Sequence, residues 1–342
     1  VGGTLWGTYY DPNIYCWGIV VWGADSAGTL ITQQNITNLP NGIVLSSAQN
    51  VTIENCNISN NDNYGVKISY TGWVGDRPEN NTIINNTICN NKAGIYIIAE
   101  AGPFNIIHYN NIYGNIEMGL NNTSPTLIDA EYNYWGDATG PYHTTNPSGQ
   151  GNNVSGNVDY SPWLGLQWPE SPMTWHVNPT GTIQEAIDVA SDGDTIKVEP
   201  GTYGPIVINK PLKLIGDPSI DAHGGVGITI TSSNVLVENF MIYNGSIGIQ
   251  IYNPAQTISN ITLNNNMIYN CTYNPGMPGI TTGIGMFINN VNGINITDSH
   301  IYNNGSYGII VDSTNWINIT DCEIYNNGFG IVISGSNVTV DP

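Results

Sequence analysis

Asp298 and Asp321 stand at matching positions of two similar stretches, DSHIYNN and DCEIYNN, where two further copies carry Asn55 and Asn265. In the same stretches His300 is matched by Glu323. If the copies lie one above the other, the two carboxylates come within about 5 Å. Such a pair could hold Ca2+ through oxygen ligands, or supply the acid and nucleophile of a glycosidase. The competing reading is an Asn/Asp turn ladder with one His–Glu contact. No Lys or Arg stands nearby to neutralise a uronate. We take the turn ladder as the expectation, with no catalytic residue and no cofactor, and keep Asp298 and Asp321 as the candidate Ca2+ ligands.

A second set is aromatic. Tyr243, Tyr269, Tyr302 and Tyr325 follow Ile242, Ile268, Ile301 and Ile324 at one phase, and Tyr113 holds that phase earlier in the chain. If each Ile points in, each Tyr points out. The row would stack coil on coil, or form a platform for sugar rings or a neighbouring subunit.

A third set is Asn-x-Ser/Thr, beginning at Asn35, Asn50, Asn57, Asn80, Asn85, Asn121, Asn122, Asn153, Asn244, Asn260, Asn270, Asn295, Asn304, Asn318 and Asn337. These are N-glycosylation signals and point to an exported, extracellular glycoprotein. Asn35, Asn50, Asn260, Asn295, Asn318 and Asn337 all open Asn-Ile/Val-Thr, so they are expected in one outward ladder on one sheet.

The cysteines, Cys16, Cys56, Cys89, Cys271 and Cys322, form no CxxC pair and no disulfide framework. Cys56 and Cys322 match Ser299 at an inward phase, as small core residues. Cys89 and Cys271 fall at or beside the outward Tyr phase, from which an intermolecular disulfide could form.

These residues need a scaffold that repeats. The stretches Gly42 to Asn61, Gly283 to Asn304, Gly308 to Asn327 and Gly330 to Thr339 are alike, and less regular copies start at Gly18, Gly65, Gly94 and Gly248. The period of about 22–25 residues suits one coil of a solenoid. In one copy Ile309 and Val311, Ile317 and Ile319, and Cys322 and Ile324 form three alternating pairs. Each pair reads as a short strand with one buried face, and turn formers lie between. Three short strands per coil predict an all-β fold of tandem right-handed parallel β-helices.

The first array is expected over 1–165, closing with YNYWGDATGPYH and GNVDYSPWLG. A Pro- and Trp-rich linker follows over 166–181, and a second array over 182–342. Thr182 and Glu185 make a capping box, and Ile183, Ala186, Ile187 and Ala190 place one apolar stripe on a short helix over Thr182–Ala190.

Composition narrows the partners. Acidic residues number 26 against 6 basic, for a net charge of −20. That argues against nucleic acid, anionic lipid and acidic polysaccharide. No run of 18 apolar residues exists, so no membrane span is expected. No leader opens the chain, which reads as a removed signal peptide or an excised piece.

TIQEAIDVASDGDTIKVEPGTY with INKPLKLIGD resembles the capped start of pectin-lyase-like right-handed β-helix proteins, especially their carbohydrate-binding and sugar-hydrolysis repeat domains. It is also similar to the periplasmic β-helix family linked to nitrous-oxide reductase maturation. NYWGDATGP with GNVDYSPWL resembles a closing segment of secreted archaeal and bacterial β-helix proteins. The resemblance implies the fold; for function it implies only a range, from lyases and hydrolases to adhesins and surface-layer proteins.

Pectate-lyase-like proteins set Ca2+-binding acids beside a basic Arg or Lys, and here the single arginine, Arg77, lies in an insertion, TGWVGDRPENN. Galacturonan hydrolases of this fold cluster several Asp with His, a set that cannot be assembled from this sequence. Metal-maturation chemistry lacks Met- or His-rich ligands. The sequence therefore leads to a structural cell-surface protein and not an enzyme: a sheath, surface-layer or filament subunit. It would assemble with itself head-to-tail or laterally through uncapped coils and carry covalent glycans. The alternative is a secreted carbohydrate-binding or polysaccharide-cleaving β-helix protein, with the Tyr row and the insertions at Tyr70–Asn80 and Asn270–Thr281 lining a sugar groove.

Overall fold

Alternating inward and outward residues, interrupted every few positions by asparagine, build mostly short strands, with longer ones at Tyr307–Thr320 and Phe329–Asp341. Many of those asparagines adopt the left-handed backbone that turns the chain. Asn55, Asn60, Asn85 and Asn90 have φ of 53°, 56°, 58° and 55°. Asn tolerates this region, which costs most L-residues about 1–2 kcal/mol. In the computed structural model, which describes residues 17–70, 72, 77–272 and 283–341, strands and corners alternate in this way and the chain winds into coils. It divides into two compact units between Glu170 and Ser171.

In the first unit three parallel sheets form the walls. One contains Trp17–Trp22, Asn41–Ser46, Tyr64–Ser69, Ala93–Ile97 and Met118–Asn122. The second contains Leu30–Thr32, Thr52–Glu54, Thr82–Ile84, Ile106–His108, Ile128–Asp129 and Val158–Asp159. The third contains Asn35–Thr37, Asn57–Ser59, Thr87–Cys89 and Asn111–Tyr113. Every strand pairs with its counterpart one coil away, so equivalent residues stack. Ile53, Ile83 and Ile107 stack this way in the core, as do Ile58, Ile88 and Ile112.

Where the chain turns, strand ladders leave backbone groups unpaired, and buried ones need partners. Inward asparagines supply them. Asn86 Oδ1 accepts from Cys56 N at 2.9 Å, while its Nδ2 donates to Ile53 O and to Asn110 Oδ1. Asn110 repeats this onto Asn133, and a parallel row runs Asn61, Asn91, Asn115, Asn152. A glycine ladder brings the first sheet close against this core. A Cβ on Gly42 would sit 2.5 Å from Gly65 O and 2.9 Å from Ile58 Cγ2.

The second unit opens with Thr174–Val177, parallel to Thr195–Val198. This strand lies inside the segment read from the sequence as a linker. Its alternating burial, with Trp175 and Val177 inward, is too short a signal to read among prolines. Between the two strands runs the helix α1, Ile183–Val189, whose Thr182–Glu185 capping box is formed at both hydrogen bonds. Buried Asp194 accepts from Met173 N, Ser191 N and Trp175 Nε1. The following sheets include Lys213–Gly216, Val235–Glu238, Ile258–Asn264 and Val291–Thr297 on one wall, and Met241–Tyr243, Met267–Tyr269, His300–Tyr302 and Glu323–Tyr325 on another. Among the described residues no helix is long and apolar enough to cross a membrane.

Removing one rung of the amide ladder tests what the corners contribute. Asn86→Ala strands Cys56 N and two interior acceptors, at about 1 kcal/mol per lost bond plus an orphaned donor. The urea midpoint should fall by the equivalent of about 3 kcal/mol. Asn85→Gly, at the adjacent left-handed corner, should leave it nearly unchanged.

Candidate functional site

Corners are where this fold displays side chains. After the strands Thr52–Glu54 and Thr82–Ile84 the corner residues are Asn55 and Asn85. One coil later the corner is Tyr109, and in the next it is Tyr132, at φ of 55° and 59°. The exchange places two aromatic rings, outside, where asparagine would otherwise sit. Tyr109 and Tyr132 stack with centroids 5.4 Å apart, and His108 meets Tyr132 edge-on at 5.0 Å. Trp168 packs on Tyr109 at 4.7 Å. Two hydrogen bonds to Asn111, from Trp168 N and to Trp168 O, fix that segment in place.

Against this aromatic ledge stand two carboxylates. Asp129 pairs in register with Ile106, so its side chain reaches diagonally to His108, where Nε2 and Oδ1 lie 2.5 Å apart. One donor atom each of His108, Asp129 and Glu131 falls within 4.8 Å of the others. The His108 side chain is 17% exposed and that of Asp129 47%, so the imidazole is held while the carboxylate meets solvent. The Tyr109 hydroxyl is held above its usual range by burial and by the Glu131 charge. Chemically the cluster can move a proton, through an imidazole whose tautomer a carboxylate fixes. One nitrogen and two oxygens would also suit a transition-metal ion better than Ca2+, which prefers oxygen alone.

Sequence reading missed this group. It followed the Tyr after each inward Ile, not the Tyr standing in for a corner Asn. The visible signal is IHYNN and AEYNY beside IINNT.

The Tyr row exists, and its rings stack on one another. Tyr243, Tyr269, Tyr302 and Tyr325 stack at 5.6, 5.3 and 5.0 Å with interplanar angles of 15°, 5° and 2°. Ring faces are therefore spent on one another, at about 0.5–1.5 kcal/mol per pair. The Tyr302 hydroxyl donates to Met267 Sδ at 3.4 Å, so it too is used within the wall.

Other expectations change in the same way. Asp298 and Asp321 do occupy matching corners, at φ of 52° and 53°, with His300 Nδ1 3.2 Å from Glu323. Among the described residues, however, the trio of potential ligands that converges is His108, Asp129 and Glu131.

The Asn-Ile/Val-Thr residues are not one ladder. Asn295 and Asn318 share a column with Thr262 and Thr339, whereas Asn50, Asn260 and Asn337 are corners and Asn35 lies in another sheet. A left-handed corner residue shifts the strand phase by one, which spacing alone does not show. Asn304 and Asn122 are buried with their amides hydrogen-bonded, closed to a glycosyl transferase in the folded chain. Cys89 and Cys271 are buried too, and burial pushes the Cys271 thiol up to about 11, so neither stands ready for an intermolecular disulfide. Cys271 takes an inward Asn position and donates its N–H to Asn304 Oδ1. Cys16 and most of the two insertions lie outside the described residues.

The second unit carries a recess of about 300 Å³ lined by His176, Lys197, Glu199 and Glu238 among others. His176, Lys197, Ile215 and Glu238 form one outward column. Burial, then the Lys197 charge, pushes the His176 imidazole down to about 4. Burial raises the Glu199 carboxyl.

A model of the right-handed β-helix region matches residues 17–133 and 209–341. The chain belongs to the right-handed β-helix family. No curated protein matches it. Among solved structures, this β-helix is similar to the mannuronan C-5 epimerase AlgE4 A-module of Azotobacter vinelandii, with 12% identity over 94% of this chain and 82% of that one, at a TM-score of 0.33. It is also similar to the PL6 family alginate lyase AlyGC, with 12% identity over 89% and 67% at 0.24. An alginate lyase from Paenibacillus sp. str. FPU-7 gives 11% over 88% and 99%, also at 0.24. The expectation of a chain that is not an enzyme is corrected here, because each of these neighbours is named as an epimerase or a lyase. That expectation rested on finding no catalytic set along the sequence. In a solenoid, groups a coil apart meet, as His108 and Asp129 do.

The His176 shift makes a pH prediction. Below pH 6.5 the unfolded chain binds a proton that the folded chain refuses until about 4. Stability should therefore fall as pH drops through that window, by up to about 3 kcal/mol at about 1.36 per unit. Urea unfolding at pH 7.5 and 4.5 should show a larger loss for the native chain than for His176→Gln.

Proposed function

We propose that this protein is a secreted carbohydrate-binding β-helix protein that cleaves a polysaccharide at His108, Asp129 and Glu131. The observation that carries the proposal is the meeting of these three side chains, within 4.8 Å, beside the Tyr109, Tyr132 and Trp168 rings. Trp168, tilted 47° against Tyr109 rather than stacked on it, supplies the apolar contact to a sugar face, while the edges of the stacked tyrosines and the nearby carboxylates take the hydroxyls. Asp129 fixes the His108 tautomer and leaves Nδ1 as the imidazole's acceptor. Glu131 then stands as the second proton-handling group, as glycosidic cleavage requires. The exposed signals at Asn35, Asn57 and Asn153 fit an exported chain that carries glycans. No observation of the structure favours the sheath or surface-layer reading.

A reducing-end assay over a panel of polysaccharides tests this directly. Asp129→Asn and Glu131→Gln should each lower kcat at least about 100-fold. Trp168→Ala should mainly raise KM, because it removes a binding surface and no proton donor. Full turnover in the Asp129→Asn, Glu131→Gln double variant would overturn the assignment.

A further inference from the structure

The second unit repeats the corner exchange at one place. Its corner column runs Asn234, Asn260, Gly293, Trp316 and Asn337, with φ of 58°, 57°, 92°, 58° and 57°. Four of these are residues that adopt the left-handed region readily, and tryptophan is not. The strain is not offset by burial, since Trp316 is 65% exposed. A bulky residue held in a strained conformation, with its ring in solvent, points to a task outside the fold. The neighbouring coil leaves room beside it. A Cβ on Gly293 would meet nothing nearer than Asn260 N at 3.8 Å.

The result is a recess of about 420 Å³ whose lining includes Trp316, Gly293, Asn260, Asn292, Asn295 and Asn318. No charged side chain lines it, although the chain carries 26 acidic residues. Among the described residues, the side-chain amides of Asn292, Asn295 and Asn318 have no hydrogen bond within the protein, so donors and acceptors both face the opening. A ring face beside uncharged amides matches a neutral pyranose: carbon–hydrogen face on the indole, hydroxyls on the amides. It does not match a uronate, which needs a cation the recess lacks.

We propose that the recess at Trp316 is a binding site for a neutral pyranose chain, separate from the cluster at His108. This rests on the carbohydrate reading above and narrows it to uncharged sugars at this site. The same sugar chemistry could arrive as a glycan covalently attached at Asn295 or Asn318.

The test uses the full chain made in a host without N-glycosylation, on an array of neutral cello-, manno-, xylo- and laminari-hexaoses beside oligogalacturonate and oligomannuronate. Trp316→Asn restores the residue of the neighbouring corners, so folding is not at risk and thermal stability should hold or rise. Saturable binding of a neutral hexaose, weakened at least 10-fold by Trp316→Asn and unchanged by Asp129→Asn, is the expected result. Equal binding by the Trp316→Asn variant overturns the site, and so does binding confined to the uronate oligomers. A blank array with polysaccharide turnover intact overturns this inference and leaves the proposed function standing; loss of both ends the carbohydrate reading. Intact-mass analysis of native protein showing sugar on Asn295 or Asn318 would assign the recess to the chain's own glycan and overturn the free-ligand site.

Discussion

Backbone groups at a corner have no strand to pair with, and the inward asparagines settle where they go. Asn86 and Asn110 each accept from an N–H one coil away and hand their own amide protons to a carbonyl and to the next asparagine. This side-chain ladder lets strands of three residues suffice as walls, because the turns between them are hydrogen-bonded as completely as the strands. Buried amides in a row are costly if broken and cooperative when whole, so they also fix the register of the coils they join.

A consequence follows for function. With the inward residue of each corner pair holding the backbone, its outward neighbour is free to vary at the cost of some strain. At Asn55, Asn85 and Asn90 nothing is made of that freedom. At Tyr109 and Tyr132, which precede the ladder rungs Asn110 and Asn133, it becomes an aromatic ledge, whereas Trp316 stands at a left-handed corner of another kind, before the buried Ile317. The row Tyr243, Tyr269, Tyr302 and Tyr325 stacks more nearly parallel than Tyr109 on Tyr132, at 15°, 5° and 2° against 26°. Their faces close on each other, so they bind coil to coil, much as the core isoleucines do.

Charge sorts the surfaces further. In a chain with 6 basic residues, Lys197 stands in a recess with two glutamates and a neutral imidazole. The His108 cluster is acidic, and the Trp316 recess has no charged lining at all. Chemistry at each face is therefore set by which few outward positions depart from Asn, Thr and Ser.

Sequence alone determined the coil. Period-two pairs such as Ile309 and Val311, glycines at one phase and the Thr182–Glu185 capping box are local patterns, and local patterns fix strand, turn and helix. It also determined the tyrosine stack, since a constant phase puts like over like. What it left open was which asparagines turn in and which turn out. Asn85 and Asn86 are adjacent and alike in sequence, yet one is a corner and the other a buried ladder rung. The sites were undecided for the same reason. His108 and Asp129 are 21 residues apart and meet only diagonally between adjacent coils. Trp168 reaches Tyr109 from a segment that reads as a linker. Contacts of that kind depend on coil register and corner phase, quantities that exist only once the chain is wound.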